Sequence, residues 1–148
     1  MRAILVVFIL IGIGCSSQST KNNIDKTALP LIETFFKGIQ AKRPSVALDE
    51  LLKNNPHISL EDSSTLFLKR SFVSVNEMSG TYKGFRVLKK RFIEEDIGIY
   101  SCLAKYEKKF YRFIFMFYNN GDTIRLYKFL FDEDIDEELE GSLKFYTN

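Results

Sequence analysis

The sequence predicts an α+β fold in which N-terminal helices pack on a curved four-stranded antiparallel sheet. Three observations carry this prediction. Apolar residues recur at helical spacing between positions 29 and 79. From Tyr82 onward, four runs rich in aromatic and β-branched residues indicate strands. Short polar segments separate these runs, and Asn120-Gly121 among them has the composition of a hairpin turn.

The first 14 residues have the composition of a secretory signal peptide. Arg2 supplies a positive charge, an apolar run begins at Ala3, and the small residue Gly14 precedes Cys15. The twelve residues from Ala3 to Gly14 are too few for a membrane-spanning helix, which needs roughly 20. We therefore expect residues 1–14 to be a signal peptide that is cleaved from the mature protein.

The sequence IGIGC at positions 11–15 resembles the lipobox of bacterial lipoproteins, with Gly12 where that motif usually has a leucine-like residue. The resemblance implies that Cys15 is acylated, with palmitate among its chains, and becomes the mature N-terminus. The protein would then lie in the bacterial cell envelope, on the non-cytoplasmic side of a membrane. One acyl chain holds a protein only marginally, whereas two or more hold it well. An ordinary secreted protein with an incidental cysteine is the alternative.

Residues 15–27 contain few apolar side chains, so we expect them to form a lipidated flexible tether. A single α+β domain is predicted over residues 28–148, a length sufficient for a sizeable core. The formal net charge of the full chain is +2, which indicates no strong affinity for nucleic acid.

Three helices are predicted in the first half of the domain. The first follows from one apolar face, with Pro30 in its first turn; the face comprises Leu29, Ile32, Phe36 and Ile39. Pro44 interrupts the pattern, and Ser45 is expected to cap a short second helix with Leu48, Leu51 and Leu52 on one side.

The third helix is predicted over residues 60–79, with Ser59 and Asp62 as candidate N-cap residues and Gly80 at its end. The strand propensity of Phe72 to Val75 makes this segment ambiguous. The predicted apolar face of the helix comprises Leu60, Phe67, Val75 and Met78.

A two-residue loop at Asn120-Gly121 would fix the pairing of the last two strands. Phe117 would then face Ile124, Phe115 would face Leu126, and Tyr111 would face Leu130, on a side that packs against the helices. The opposite side would pair Arg112 with Phe129, Ile114 with Tyr127, and Met116 with Arg125. This mixed side suits water, and its aromatic residues are numerous enough to predict a second contact surface.

Helices followed by a four-stranded antiparallel sheet resemble the cystatin-like cone of the nuclear-transport-factor-2-like superfamily. ALDELLKNNPHI resembles the second-helix region of those domains, and GTYKGF to FLFDED resembles the sheet of small bacterial lipoproteins. The resemblance covers roughly residues 28–140 and implies the fold. The superfamily includes isomerases, dehydratases and non-catalytic modules, so the fold does not select an activity.

Six aromatic residues are the candidates for a core or for the lining of a pocket: Tyr100, Tyr106, Tyr111, Phe113, Phe115 and Phe117. An isomerase-like cup would also need a buried carboxylate. The acidic residues instead lie mostly at helix ends and turns, so we predict no catalytic residue and no cofactor.

The remaining candidates for chemistry have simpler interpretations. Cys102 lies in an apolar run and is expected to be a small buried residue. His57 has no second histidine or paired cysteine with which to bind a metal. Asp132, Asp134 and Asp136 have calcium-loop spacing, but Glu137 and Leu143 stand where such a loop needs glycine and glutamate. A short acidic helix with Ile135 and Leu139 docked explains this run better, and no metal site is predicted.

The leading hypothesis is a membrane-anchored lipoprotein whose domain binds or assists another envelope protein without chemistry of its own. A carrier or sensor of a small apolar ligand, and a small isomerase or dehydratase, are the alternatives. A cavity lined by Tyr and Phe would favour the carrier. A carboxylate in that cavity, hydrogen-bonded to a tyrosine, would favour the enzyme. A filled core with an exposed aromatic face would favour binding of another protein.

Overall fold

The computed structural model describes residues 17–136, and their side chains from Asn23 onward. Three helices precede four strands that form one antiparallel sheet in the order β1-β2-β3-β4. The elements are α1 (Ser17–Gln40), α2 (Pro44–Leu52), α3 (Ser63–Met78), β1 (Tyr82–Ile93), β2 (Ile97–Tyr106), β3 (Phe110–Asn119) and β4 (Ile124–Asp132). The predicted fold class, helices packed on a four-stranded antiparallel sheet, is confirmed. The signal peptide, Cys15 and Leu139 lie outside the described residues.

Helix α1 begins at Ser17, within the segment for which a flexible tether was predicted. Ile24 is the one apolar side chain in the stretch SSQSTKNNIDK, and it is fully buried. It lies four residues before the buried Ala28, which itself precedes Ile32 by four, so the apolar face of the helix extends toward the N-terminus. Pro30 consequently lies in the interior of the helix and not in its first turn.

The first helix ends before Pro44, as predicted, and Pro44 is the first residue of α2. A proline at the first helical position has the required φ and lacks an N–H that would be unpaired there in any case. The N-cap residue is Arg43, which makes no side-chain capping bond. Ser45 lies inside the helix, so the predicted cap at Ser45 is wrong. Helices α1 and α2 approach closely at Gly38, where a Cβ would collide with Ala47.

Helix α3 is confirmed, but its start and its buried face differ from the prediction. Asp62 is the N-cap residue, and its side chain accepts a hydrogen bond from Ser64 N at 3.2 Å. Phe67 and Met78 are exposed, whereas Phe72 is fully buried. Thr65 and Phe72 are the buried residues of α3, and the ring of Phe72 contacts those of Phe35 and Phe113.

The register of β3 with β4 differs from the prediction. Asn119 pairs with Ile124, so the loop has four residues, 120–123, closed by the side chain of Asn120, which accepts from Thr123 N at 2.9 Å. Phe117 pairs with Leu126 and Phe115 with Phe129, so one extra residue bulges from β4 between these pairs. The bulge moves Phe129 to the buried side and Leu130 to the exposed side, opposite to the prediction.

The core lies between α1 and one side of the sheet. Phe35 and Phe36 on α1 are buried, and their rings contact those of Phe113 and Phe115 on β3. Phe85 on β1 stacks on Phe36 with 4.1 Å between ring centroids. We call this side of the sheet the inner face, and the opposite side the outer face.

Candidate functional site: the inner face, a cleft and the outer face

The phenylalanines predicted to share one face do so. Phe113, Phe115 and Phe117 are each fully buried on the inner face. The centroid of the Phe115 ring lies 5.6 Å from that of Phe35 and 5.4 Å from that of Phe129. Edge-to-face and tilted contacts at these distances are favourable aromatic packing. At Phe115, therefore, rings from α1 and β4 occupy the space that an open cup would need.

The three tyrosines predicted as core or pocket residues are also buried. Tyr100 donates a hydrogen bond to Asp25 Oδ1 at 2.8 Å, and Tyr106 donates to Asn76 Oδ1 at 2.6 Å. The hydroxyl of Tyr111 lies 3.1 Å from Ser79 Oγ. Burial raises the pKa of Tyr100 and Tyr106, and the hydrogen bond to Asp25 raises that of Tyr100 further. The phenols of Tyr100 and Tyr106 therefore stay protonated and act as hydrogen-bond donors.

The carboxylate of Asp25 accepts a hydrogen bond from Tyr100, a contact of the kind that would favour an enzyme if it lay in a cavity. Asp25 lies within the segment predicted to be a tether. Its other oxygen accepts from Lys90 Nζ at 3.0 Å. The side chains of both residues are partly exposed to solvent. Neither Asp25 nor Tyr100 lines the cleft described below. These contacts join α1 to β1 and β2.

Cys102 is fully buried, and burial raises the pKa of its thiol to about 12. A thiol in this environment is neither ionised nor accessible at neutral pH, which agrees with its predicted structural role. The hydroxyl of Tyr82 is also buried, and it has no hydrogen-bond partner among the described residues. Burial raises the pKa of Tyr82, and the neighbouring Cys102 contributes to this shift.

A cleft of about 540 Å³ lies where the C-terminal ends of α1 and α3 meet the start of β1 and the end of β2. The rings of Tyr82 and Tyr106 line it, together with Asn76. Its charged lining residues are Lys42, Glu77, Glu107 and Lys108. Glu107 accepts from Thr81 N at 3.1 Å, and this bond lowers the pKa of Glu107. Of the six predicted aromatic residues, Tyr106 alone lines the cleft.

No group of His, Cys, Asp or Glu side chains in residues 17–136 is arranged to hold a metal ion. The acidic run at the end of β4 instead forms ion pairs. Asp132 accepts from Arg112 Nε at 3.0 Å, and Glu133 accepts from Lys109 Nζ at 2.8 Å. His57 lies in the loop after α2, with its Nε2 at 2.9 Å from Arg125 Nη1.

The outer face has no described element packed over it. Apolar side chains lie partly or largely exposed there along all four strands: Ile93, Ile97, Ile99, Leu103, Phe110, Ile114, Met116, Tyr118, Tyr127 and Leu130. Tyr127, the bulged residue of β4, is 65% exposed. The sequence predicted a contact surface on this side of the sheet but placed Phe129 on it, and the bulge exchanges that residue for Leu130.

Comparison with known proteins found no matching protein family, no matching curated protein and no matching solved structure. Within the described residues, none of the helices is sufficiently long and apolar to cross a membrane.

Proposed function

We propose that this chain is a lipid-anchored lipoprotein of the bacterial envelope whose domain binds a partner without catalysing a reaction. The filled inner face carries the proposal. A catalyst or carrier of the cone type needs an open interior, and here Phe35 and Phe36 fill that space against Phe115. The outer face is left as the surface on which the domain binds.

The anchor is supported by the order of the sequence features. Cys15 precedes the first residue of α1 by two positions, so acyl chains on it would place a folded domain directly at the membrane. The buried Ile24 shortens any flexible segment between anchor and domain. The proposal therefore places the domain against the membrane surface and not at the end of a long tether.

Mass spectrometry of the mature N-terminus, with membrane fractionation, tests the anchor. We expect the N-terminal residue to be an acylated Cys15, and we expect Cys15→Ser to abolish acylation and processing. An intact N-terminus with unmodified Cys15 in the soluble fraction of the wild type would contradict the proposal.

Binding of a small ligand in the cleft is the second candidate function. The cleft is large enough for a drug-sized molecule, and the aromatic rings of Tyr82 and Tyr106 line it. Thr81 is exposed at its edge, so Thr81→Trp should fill the cleft while leaving the core intact. An apolar fluorescent dye that binds the wild type and not this variant would support the candidate. Equal binding to both would contradict it.

A further inference from the structure

The outer face combines apolar side chains with cations that have no acidic partner among the described residues. Arg86, Lys89 and Arg91 project from the edge strand β1, where they pair with the outer-face residues Leu103, Ser101 and Ile99 of β2. All three are exposed. Lys105 on β2 and Lys128 on β4 add two more cations, and none of these five forms an ion pair with a described residue.

The acidic side chains near this face lie at its ends. Glu94, Glu95 and Asp96 form the β1–β2 turn, and Asp122 lies in the β3–β4 loop. Asp132, at the end of β4, is paired with Arg112. Away from these ends the outer face is therefore apolar, with cations along its β1 edge and exposed aromatic residues on β3 and β4. This combination is typical of surfaces that meet the headgroup region of a membrane.

The cationic edge also lies beside the start of α1, from which the proposed anchor leads. Lys90, on the inner side of β1, binds Asp25. Asp25 lies eight positions after Ser17 in α1, which is roughly 12 Å along the helix axis. An acylated Cys15, two residues before Ser17, would keep β1 close to the headgroups, where each cation near an anionic surface contributes a factor of about five in affinity.

We propose that the outer face of the sheet docks on an anionic phospholipid surface. The contact is made by Arg86, Lys89 and Arg91 and by the apolar outer-face side chains of the neighbouring strands. The inference rests on the proposed anchor, because the anchor supplies the proximity, and it names the membrane surface as the partner that the outer face binds. A second copy of the chain is a poorer occupant, since two outer faces would bring like charges together. Anionic headgroups neutralise the cations, while the aromatic and aliphatic side chains enter the interface.

A dye on the outer face tests the contact. In the acylated full-length chain, Tyr127→Cys introduces a reactive thiol at an exposed position, whereas Cys102 is buried and an acylated Cys15 has no free thiol. After labelling with a polarity-sensitive dye, the protein is reconstituted into phosphatidylcholine vesicles with or without phosphatidylglycerol. We expect the dye emission to shift to the blue only in vesicles that contain phosphatidylglycerol. High salt should reverse the shift because it screens the charges.

Two triple variants of equal charge change provide the comparison. Arg86→Gln, Lys89→Gln and Arg91→Gln together should lower the ratio of membrane-docked to undocked outer faces roughly a hundredfold. The blue shift of the dye should then disappear. Lys37→Gln, Lys53→Gln and Arg70→Gln change three exposed cations on the helices and connecting loops, and they should leave the shift intact.

The remaining outcomes would overturn the inference. No shift on either vesicle, or the same shift on both, would show that anionic lipid does not bind this face. Blue emission before vesicles are added would show that the face is covered by residues 137–148 or by a second copy, which dilution distinguishes. Labelling of two thiols per chain would instead show that Cys15 is free, which contradicts the anchor. In that case vesicles added to the soluble protein still test the contact.

Discussion

Tyr82 and Tyr106 are neighbouring tyrosines whose buried hydroxyls differ in one respect, and that difference predicts opposite effects of the same substitution. The Tyr106 hydroxyl donates to Asn76, whereas the Tyr82 hydroxyl has no partner among the described residues. Tyr106→Phe should lower the free energy of unfolding by about 1–3 kcal/mol, because Asn76 loses its partner. Tyr82→Phe should leave stability unchanged or raise it, since it removes an unsatisfied polar group.

Urea unfolding of both variants measures this difference. The two rings lie 5.3 Å apart between centroids, so each variant controls for general loosening of the same region. A Tyr82→Phe variant that loses as much stability as Tyr106→Phe would show that the Tyr82 hydroxyl has a partner in solution.

Asp62 predicts a pH dependence at the start of α3. Its hydrogen bonds with Ser64 lower the pKa of its carboxyl from the ordinary value of 3.8. A carboxyl with a lowered pKa in the folded state stabilises that state above its unfolded pKa, and the contribution is lost as pH falls through the folded pKa. Asp62→Ala should therefore destabilise the protein at neutral pH and have little effect in strong acid. Equal effects at both pH values, measured by urea unfolding, would exclude this role.

At the scale of the elements, the sequence predicted all three helices and all four strands but not how every face is oriented. Helical spacing and β-branched runs are local signals, and they identify an element without its neighbours. The bulge in β4 has no such signal, since it depends on how Tyr127 and Lys128 fit opposite Met116. A shift of one residue moves Phe129 inward and Leu130 outward. The sequence does not predict the start of α1 because the burial of Ile24 depends on tertiary contacts, among them its close approach to Gly98 of β2.

The β3–β4 loop gives an element-scale prediction. Gly121 has φ +96°, and a Cβ there would meet no neighbouring atom, so backbone conformation alone opposes a side chain. Gly121→Val should cost roughly 1–3 kcal/mol of stability because a β-branched residue strongly disfavours positive φ. Gly121→Asn should cost less, since asparagine tolerates positive φ more readily. Thermal melts of the two variants that match the wild type would show that the loop adopts another conformation.

At the scale of the whole molecule, part of the functional interpretation followed from the sequence. The alternation of Phe113, Phe115 and Phe117 predicted one buried face, because side chains of a strand alternate sides. The sequence could not show that Phe35 and Phe36 close the inner face, since these residues are about 80 positions earlier and meet β3 only in the folded chain. The contacts of Asp25 with Tyr100 and Lys90 likewise form only in the folded chain. The side of the sheet on which the β1 cations lie is set by the pairing of β1 with β2. The proposed N-terminal processing signal, in contrast, depends on local sequence alone.

The filled inner face is the central claim, and Phe115→Ala tests it most directly through urea unfolding and dye binding on the same variant. Phe115 is fully buried among Phe35, Phe36 and Phe129, so truncation should cost about 3–5 kcal/mol, against the roughly 5–15 kcal/mol of a typical domain. Phe67→Ala makes the same chemical change at a side chain that is 68% exposed, and it should cost less than about 0.5 kcal/mol. A stable Phe115→Ala protein whose binding of an apolar dye is altered would contradict the account, because it would show that Phe115 lines an open cup.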